Sequence, residues 1–216
     1  MNHSTVTEPQ IQLTVRTANR TAWLVALFVV ATLLRLALAG IYHPVDFPDA
    51  QGYTQMANVI RNGNWMDNLG ARPPVYPVFL LLFGQDRTLV WLAQALLGLL
   101  SSGIYFLAGE RLSGRPAVGF AAGLAAALLL PGLFLEAVVM SEVLGAFLLT
   151  LTLAAAGLLW AGRRTGLGIA LLVGMLIGLT TLTRPSFLYA GLLLPVFVLL
   201  RRRPALAGAL LAPFLA

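Results

Sequence analysis

The chain has 216 residues, of which 59% are apolar and 10% are charged. Because an ordinary soluble domain carries roughly a quarter charged residues, this composition argues against a water-soluble fold. The formal net charge is +6, but all fourteen basic residues are arginines that separate apolar stretches and form no continuous basic face, which argues against a nucleic-acid partner. With no cysteine and only two histidines, the chain has no disulfides, thiol chemistry or Cys-based metal sites.

Apolar stretches that could cross a bilayer as helices recur along the chain. Each crossing needs about 20 mostly apolar residues in a helix, because lipid offers no partner for an unpaired backbone amide or carbonyl. The sequence therefore predicts an all-α membrane protein, a polytopic bundle of transmembrane helices. The six predicted spans are residues 22–41, 88–108, 116–135, 143–161, 167–182 and 186–200.

The distribution of charge predicts an orientation. If residues 1–21 form a cytoplasmic N-terminal segment, nine arginines fall on the inner side and four on the outer side, as the positive-inside rule favours. Six of the eight acidic residues then lie outside, and these are Asp46, Asp49, Asp67, Asp86, Glu136 and Glu142. We therefore expect a multi-pass protein of the cell inner (plasma) membrane with an active outer loop at residues 42–87.

The first apolar run has a second interpretation. Arg16 and Arg20 precede it, and residues 37–39 resemble a small-x-small cleavage site, so a removed signal peptide is the alternative to a first span. Arg35 interrupts the run and further spans follow, which favours a span. The Arg35 guanidinium then either snorkels toward the outer headgroups or forms a salt bridge or phosphate contact inside the bundle.

The outer loop begins with the pattern of a short amphipathic helix on the membrane surface. The apolar residues at helical spacing are Tyr53, Met56, Ala57 and Ile60. Asp49 stands at the start of this helix, where it is either a simple cap or a carboxylate placed to take a proton from an acceptor hydroxyl. Asp46, three residues earlier, could share a cation with it.

Three further positions on the outer side carry candidate functional groups. Arg72 precedes two prolines and an apolar segment too short to span, so we expect it at headgroup depth, either binding a phosphate or anchoring the protein to lipid headgroups. Ser141 and Glu142 directly precede the fourth span and are also natural helix caps. Arg184 lies in a turn after the fifth span.

Four short motifs follow one another in a recognisable order. They are Asp49-Ala50-Gln51-Gly52-Tyr53, Arg72-Pro73-Pro74-Val75-Tyr76-Pro77, Ser141-Glu142 and Leu182-Thr183-Arg184-Pro185. Their order and membrane placement resemble the N-terminal half of GT-C-type glycosyltransferases, in particular the protein O-mannosyltransferase and aminoarabinose transferase superfamily. The resemblance implies a transmembrane GT-C-like domain over residues 22–216, truncated at its C-terminus.

The resemblance also implies an activity. Such enzymes transfer a sugar from a polyprenyl-phosphate donor to a protein, lipid or glycan acceptor on the non-cytoplasmic face, with Asp49 as general base and Glu142 as a second acidic catalytic residue. The residues expected to contact the lipid phosphate or donor are Arg72, Tyr53, Tyr76, Arg184 and Arg35. No cofactor is predicted outright. Because Ala50 stands where several relatives have a second acid, a divalent cation (Mg²⁺ or Mn²⁺) held by Asp46 and Asp49 stays open.

Two other classes of function fit a chain of this composition. A transporter or flippase-like protein would carry charges inside several spans, whereas only Arg35 lies well inside one. A non-catalytic membrane scaffold, or a truncated paralogue without its donor-binding half, would tolerate replacement of Asp49 by asparagine.

Overall fold

The computed structural model describes residues 8–45, 47–64, 72–161, 167–189, 193 and 209–210, with residues 8–18 and 159–161 described by their backbone alone. Within these ranges the chain is helical, and extended segments pair at one isolated parallel bridge between Val45 and Val138. Eight α-helices and a short 3-10 helix follow in order. They are α1 (Glu8–Ala39), α2 (Pro48–Arg61), α3 (Val75–Leu82), α4 (Arg87–Ser113), α5 (Pro116–Ala127), α6 (Leu130–Glu136), α7 (Glu142–Ala161), α8 (Leu167–Thr183) and the 3-10 helix Pro185–Phe187.

Helices occupy the first five of the six predicted spans. Over the described residues, α1 and α4 are long and apolar enough to cross a membrane, while α7 and α8 are shorter apolar helices. In the sixth predicted span, residues 190–192 and 194–200 lie outside the described residues. The all-helical class is thus confirmed for the described part, which includes two helices long and apolar enough to cross a membrane. The number of crossings stays a prediction.

The third predicted span is broken. α5 and α6 are bent by 55° at their junction, so they would supply a third crossing only if the pair crosses as one unit. Pro131 explains the break, because it has no amide to donate to the carbonyl of Ala127 and its ring would clash with that carbonyl in a continuous helix. The apolar pattern of this stretch was visible in the sequence, but its bend was not predicted.

The chain forms two compact units. The first comprises residues 1–41 and 99–129, and the second comprises residues 42–98 and 130–216, so that α4 contributes to both. In the first unit, α5 packs on α1. A Cβ at Gly119 would lie 2.6 Å from the carbonyl oxygen of Phe106, which shows that glycine lets the backbones of α5 and α4 approach closely.

The second unit contains all the predicted outer-loop motifs that the structure describes. Within it, α2 packs on α3, α7 packs on α8, and α3 contacts α8. The buried residues of α2 are Ala50, Tyr53, Met56, Ala57 and Ile60. The amphipathic helix predicted here is therefore confirmed, but its apolar face is covered by the protein's own core and is not the lipid contact that the pattern suggested.

Gln94 joins three parts of the second unit. Its side chain is 1% exposed, and its Nε2 donates hydrogen bonds of 2.8 Å to the carbonyl oxygens of both Glu136 and Val138. Its Oε1 accepts a hydrogen bond of 3.1 Å from the Tyr76 hydroxyl. Gln94 thus links α4 to α3 and to the loop between α6 and α7, which leads into Ser141 and Glu142.

Candidate functional site

Asp49 and Arg72 form an ion pair at the start of α2. Arg72 Nη2 donates to Asp49 Oδ1 at 2.6 Å, with the Asp49 side chain 55% exposed and that of Arg72 30% exposed. The hydrogen bond to Asp49 is the main reason that the pKa of the Arg72 guanidinium is raised above its ordinary value. Asp49 is not the N-cap of α2, because Pro48 begins the helix and Phe47 stands at the N-cap, without a side-chain cap hydrogen bond. Asp49 does lie in the first turn, where a negative charge suits the helix dipole.

Gly52 and Tyr53 hold the Arg72 side chain against α2. A Cβ at Gly52 would lie only 2.9 Å from Arg72 Nε, so the absence of a side chain at position 52 makes room for the guanidinium. The guanidinium carbon of Arg72 lies 4.9 Å from the centroid of the Tyr53 ring, within the range of a cation-π interaction. Both residues belong to the first predicted motif, which the structure brings together with the second.

Two tyrosines lie beneath the ion pair. The rings of Tyr53 and Tyr76 meet edge-on with their centroids 4.9 Å apart. Burial is the main reason that the pKa of the Tyr76 hydroxyl is raised far above its ordinary value, and the negative charge of the Glu142 carboxylate acts in the same direction. The Tyr76 hydroxyl donates to Gln94 Oε1. The Tyr53 hydroxyl shares a buried hydrogen bond of 2.8 Å with Ser141 Oγ, which connects the first motif to the third.

Glu142 and Arg184 form a second ion pair. Arg184 Nη1 lies 2.9 Å from Glu142 Oε1, and the Glu142 side chain is 18% exposed. Glu142 Oε2 is buried and has no hydrogen-bond partner among the described residues. An unpaired buried acceptor of this kind costs about 1–3 kcal/mol. A ligand hydroxyl that donated to Glu142 Oε2 would therefore be stabilised there.

Two other predicted site residues belong to the first unit or lie outside the described residues. Arg35 belongs to the first unit and its Nη1 donates to the Ala31 carbonyl oxygen of its own helix at 3.2 Å, so its donor contact stays a prediction. Asp46 lies outside the described residues. Among the residues that are described, no group of three or more His, Cys, Asp or Glu could hold a metal ion, and the divalent cation also stays a prediction.

Sequence reasoning missed two residues that position the site. Gln94 is an amide in the middle of an apolar helical run, and such a residue inside a predicted span is itself a signal of a specific polar partner. Gly145 follows Glu142 by three residues, just as Gly52 follows Asp49. A comparison of the two segments would have singled it out.

No family model, curated protein or solved structure matches the chain. The fold and the site define a helical protein with helices long and apolar enough to cross a membrane and with two arginine–carboxylate pairs, linked by the hydrogen bond between Tyr53 and Ser141. The functional interpretation is therefore based on these side chains and on the order of the four motifs.

Proposed function

We propose that the chain is a glycosyltransferase of the inner (plasma) membrane that moves a sugar from a polyprenyl-phosphate donor to an acceptor on the non-cytoplasmic face. The observation that carries the proposal is the Asp49–Arg72 pair, which places a carboxylate able to accept a proton within 2.6 Å of a cation able to bind phosphate. The apolar helices α1 and α4 support a membrane location suited to a lipid-linked donor. The order of the four motifs supports the same class of enzyme.

The proposed reaction is a displacement at the anomeric carbon of the donor sugar. Asp49 takes the proton of the acceptor hydroxyl as that oxygen forms its bond to the anomeric carbon. The bond between this carbon and the phosphate oxygen breaks, and its electron pair leaves with the polyprenyl phosphate. Arg72 stabilises the charge on the departing phosphate, and a single displacement inverts the configuration at the anomeric carbon.

The second ion pair is assigned a supporting role in substrate binding. Arg184 occupies Glu142 Oε1, while Glu142 Oε2 is the oxygen without a described partner. A sugar or acceptor hydroxyl donating to Glu142 Oε2 would satisfy that acceptor and orient the substrate. Tyr53 and Ser141 join this pair to the first by a hydrogen bond, which supports a role for both pairs in binding one substrate.

Binding of undecaprenyl phosphate tests the proposal. The purified chain in phosphatidylcholine nanodiscs is expected to bind this lipid saturably. Arg72→Ala is expected to weaken binding about tenfold or more, because a charge-assisted hydrogen bond to phosphate is lost. The matched control is Arg61→Ala, which removes an exposed arginine from the last turn of α2 and should leave the affinity unchanged. No saturable binding, or equal binding by Arg72→Ala, would contradict the proposal.

Replacing Gly52 by alanine should weaken binding of undecaprenyl phosphate without lowering the stability of the protein. The added Cβ would meet Arg72 Nε at 2.9 Å, and the flexible arginine can move aside without disturbing the backbone. Alanine also favours a helix over glycine by about 1 kcal/mol. The thermal midpoint is therefore expected to stay constant or rise while the affinity for undecaprenyl phosphate falls several-fold.

The matched control for this variant is Gly157→Ala, at an exposed helical glycine with no described atom within 4 Å of an added Cβ. It should gain helix propensity without any change in lipid binding. A Gly52→Ala protein that binds like wild type would show that the position of Arg72 against α2 is irrelevant to phosphate binding.

A further inference from the structure

The two arginine–carboxylate pairs share one local design. In each, a carboxylate stands in the first turn of a helix, a glycine follows three residues later, and the arginine that pairs with the carboxylate precedes a proline. A Cβ at Gly52 would lie 2.9 Å from Arg72 Nε, whereas a Cβ at Gly145 would lie 3.0 Å from the Phe187 ring and 3.6 Å from Arg184 Cδ. The first set is Asp49, Gly52 and Arg72, and the second set is Glu142, Gly145 and Arg184. Since carboxylate, glycine and arginine follow the same order in both sets, the two pairs can be compared directly.

The pairs differ in how much water reaches the carboxylate. Asp49 is 55% exposed, whereas Glu142 is 18% exposed and its second oxygen is buried. Separating an exposed ion pair costs little, because water solvates the released carboxylate. Separating the second pair would leave a largely buried carboxylate without its cation, which is strongly unfavourable. The first pair is thus the one that can open.

The surroundings of Arg72 favour exchange of its anionic partner. Its guanidinium stays over the Tyr53 ring at 4.9 Å, a contact that does not depend on Asp49. Among the contacts of the described residues, the Nη2 hydrogen bond to Asp49 Oδ1 is the one that joins the guanidinium to the carboxylate. A guanidinium offers further donors that suit two phosphate oxygens at once. A phosphate can therefore replace the carboxylate while the arginine keeps its place.

We propose that Arg72 exchanges partners when the donor binds: the ligand phosphate displaces the Asp49 carboxylate, while Arg184 stays on Glu142. This inference rests on the proposed function and names how its site is regulated. In the unliganded protein, Asp49 is occupied by Arg72. Arrival of the phosphate releases Asp49, so the base becomes free to accept a proton only when a donor is present.

The test compares affinities for undecaprenyl phosphate in phosphatidylcholine nanodiscs at constant ionic strength. Asp49→Asn removes the competing charge and is expected to tighten binding about two- to fivefold, the range set by a partly exposed ion pair. Glu142→Gln is expected to show no such tightening, because the cation that changes partners is Arg72, which pairs with Asp49 and not with Glu142. Asp86→Asn is the matched control for loss of one negative charge, because Asp86 is bonded to the Leu89 amide and asparagine can make that contact too. It should bind like wild type.

The outcomes separate the exchange from the proposed function. Tighter binding by Asp49→Asn, with wild-type affinity in Asp86→Asn, supports the exchange. Unchanged or weaker binding by Asp49→Asn, while Arg72→Ala still weakens binding about tenfold or more, overturns the exchange and leaves the phosphate site intact. Equal tightening by Glu142→Gln also overturns it, since the second pair would then open as well. If Arg72→Ala binds with wild-type affinity, Arg72 does not bind the phosphate, and the proposed phosphate site is itself contradicted.

Discussion

Asp49→Asn is expected to slow sugar transfer by about 100- to 10,000-fold, which is the usual contribution of a general base. Asparagine has nearly the shape of aspartate but cannot accept the proton of the acceptor hydroxyl. The measurement is the initial rate of transfer from a polyprenyl-phosphate sugar by the purified chain in nanodiscs. Because Asp49 is more than half exposed, the substitution should leave the thermal midpoint nearly unchanged.

Asp86→Asn provides the comparison for this loss of activity. Asp86 is an exposed acid before α4 that contacts neither Arg72 nor Glu142 in the described structure, so its variant should transfer sugar at the wild-type rate. An Asp49→Asn protein that retained the wild-type rate would favour a scaffold, or an enzyme whose base is another residue.

Among the variants proposed for this protein, Gln94→Leu is expected to lower the free energy of unfolding most. It would leave the Tyr76 hydroxyl and the carbonyl oxygens of Glu136 and Val138 without their buried partner. Since each such group costs about 1–3 kcal/mol, the free energy of unfolding should fall by about 3–5 kcal/mol. Chemical denaturation in detergent measures this change.

The matched control for Gln94→Leu is Gln51→Leu, which makes the same chemical change at an exposed position of α2. A surface substitution of this kind should change the free energy of unfolding by less than about 0.5 kcal/mol. Equal stability of the two variants would show that Gln94 does not hold the loop before Ser141 and Glu142 in place.

Periodicity made α2 predictable, whereas its partner was not. Tyr53, Met56, Ala57 and Ile60 recur at helical spacing, and the structure buries all four. Hydrophobic spacing reports that a face is apolar but not what covers it. The surface that covers α2 includes α3. The sequence predicted α3 at the membrane–water interface, because its apolar part is too short to cross the membrane.

The pairing of Asp49 with Arg72 could not be predicted from the sequence, because it depends on tertiary packing. The two residues are 23 positions apart, and their contact depends on the packing of α2 against α3. The sequence predicted Asp49 and Arg72 as candidate site residues on the same outer loop. Their 2.6 Å contact could not be predicted, because it depends on the tertiary fold. The cap assignment failed locally, because Pro48 at the first helical position moved the N-cap to Phe47.

The most direct test of the proposed activity is release of polyprenyl phosphate from polyprenyl-phosphate-linked hexoses and pentoses, followed by mass spectrometry. The purified chain in nanodiscs is expected to release it from at least one of these donors, with water or an added acceptor taking the sugar. Arg72→Ala and Asp49→Asn should release it far more slowly. Release by the wild-type chain no faster than in protein-free nanodiscs, for every donor, would contradict the account.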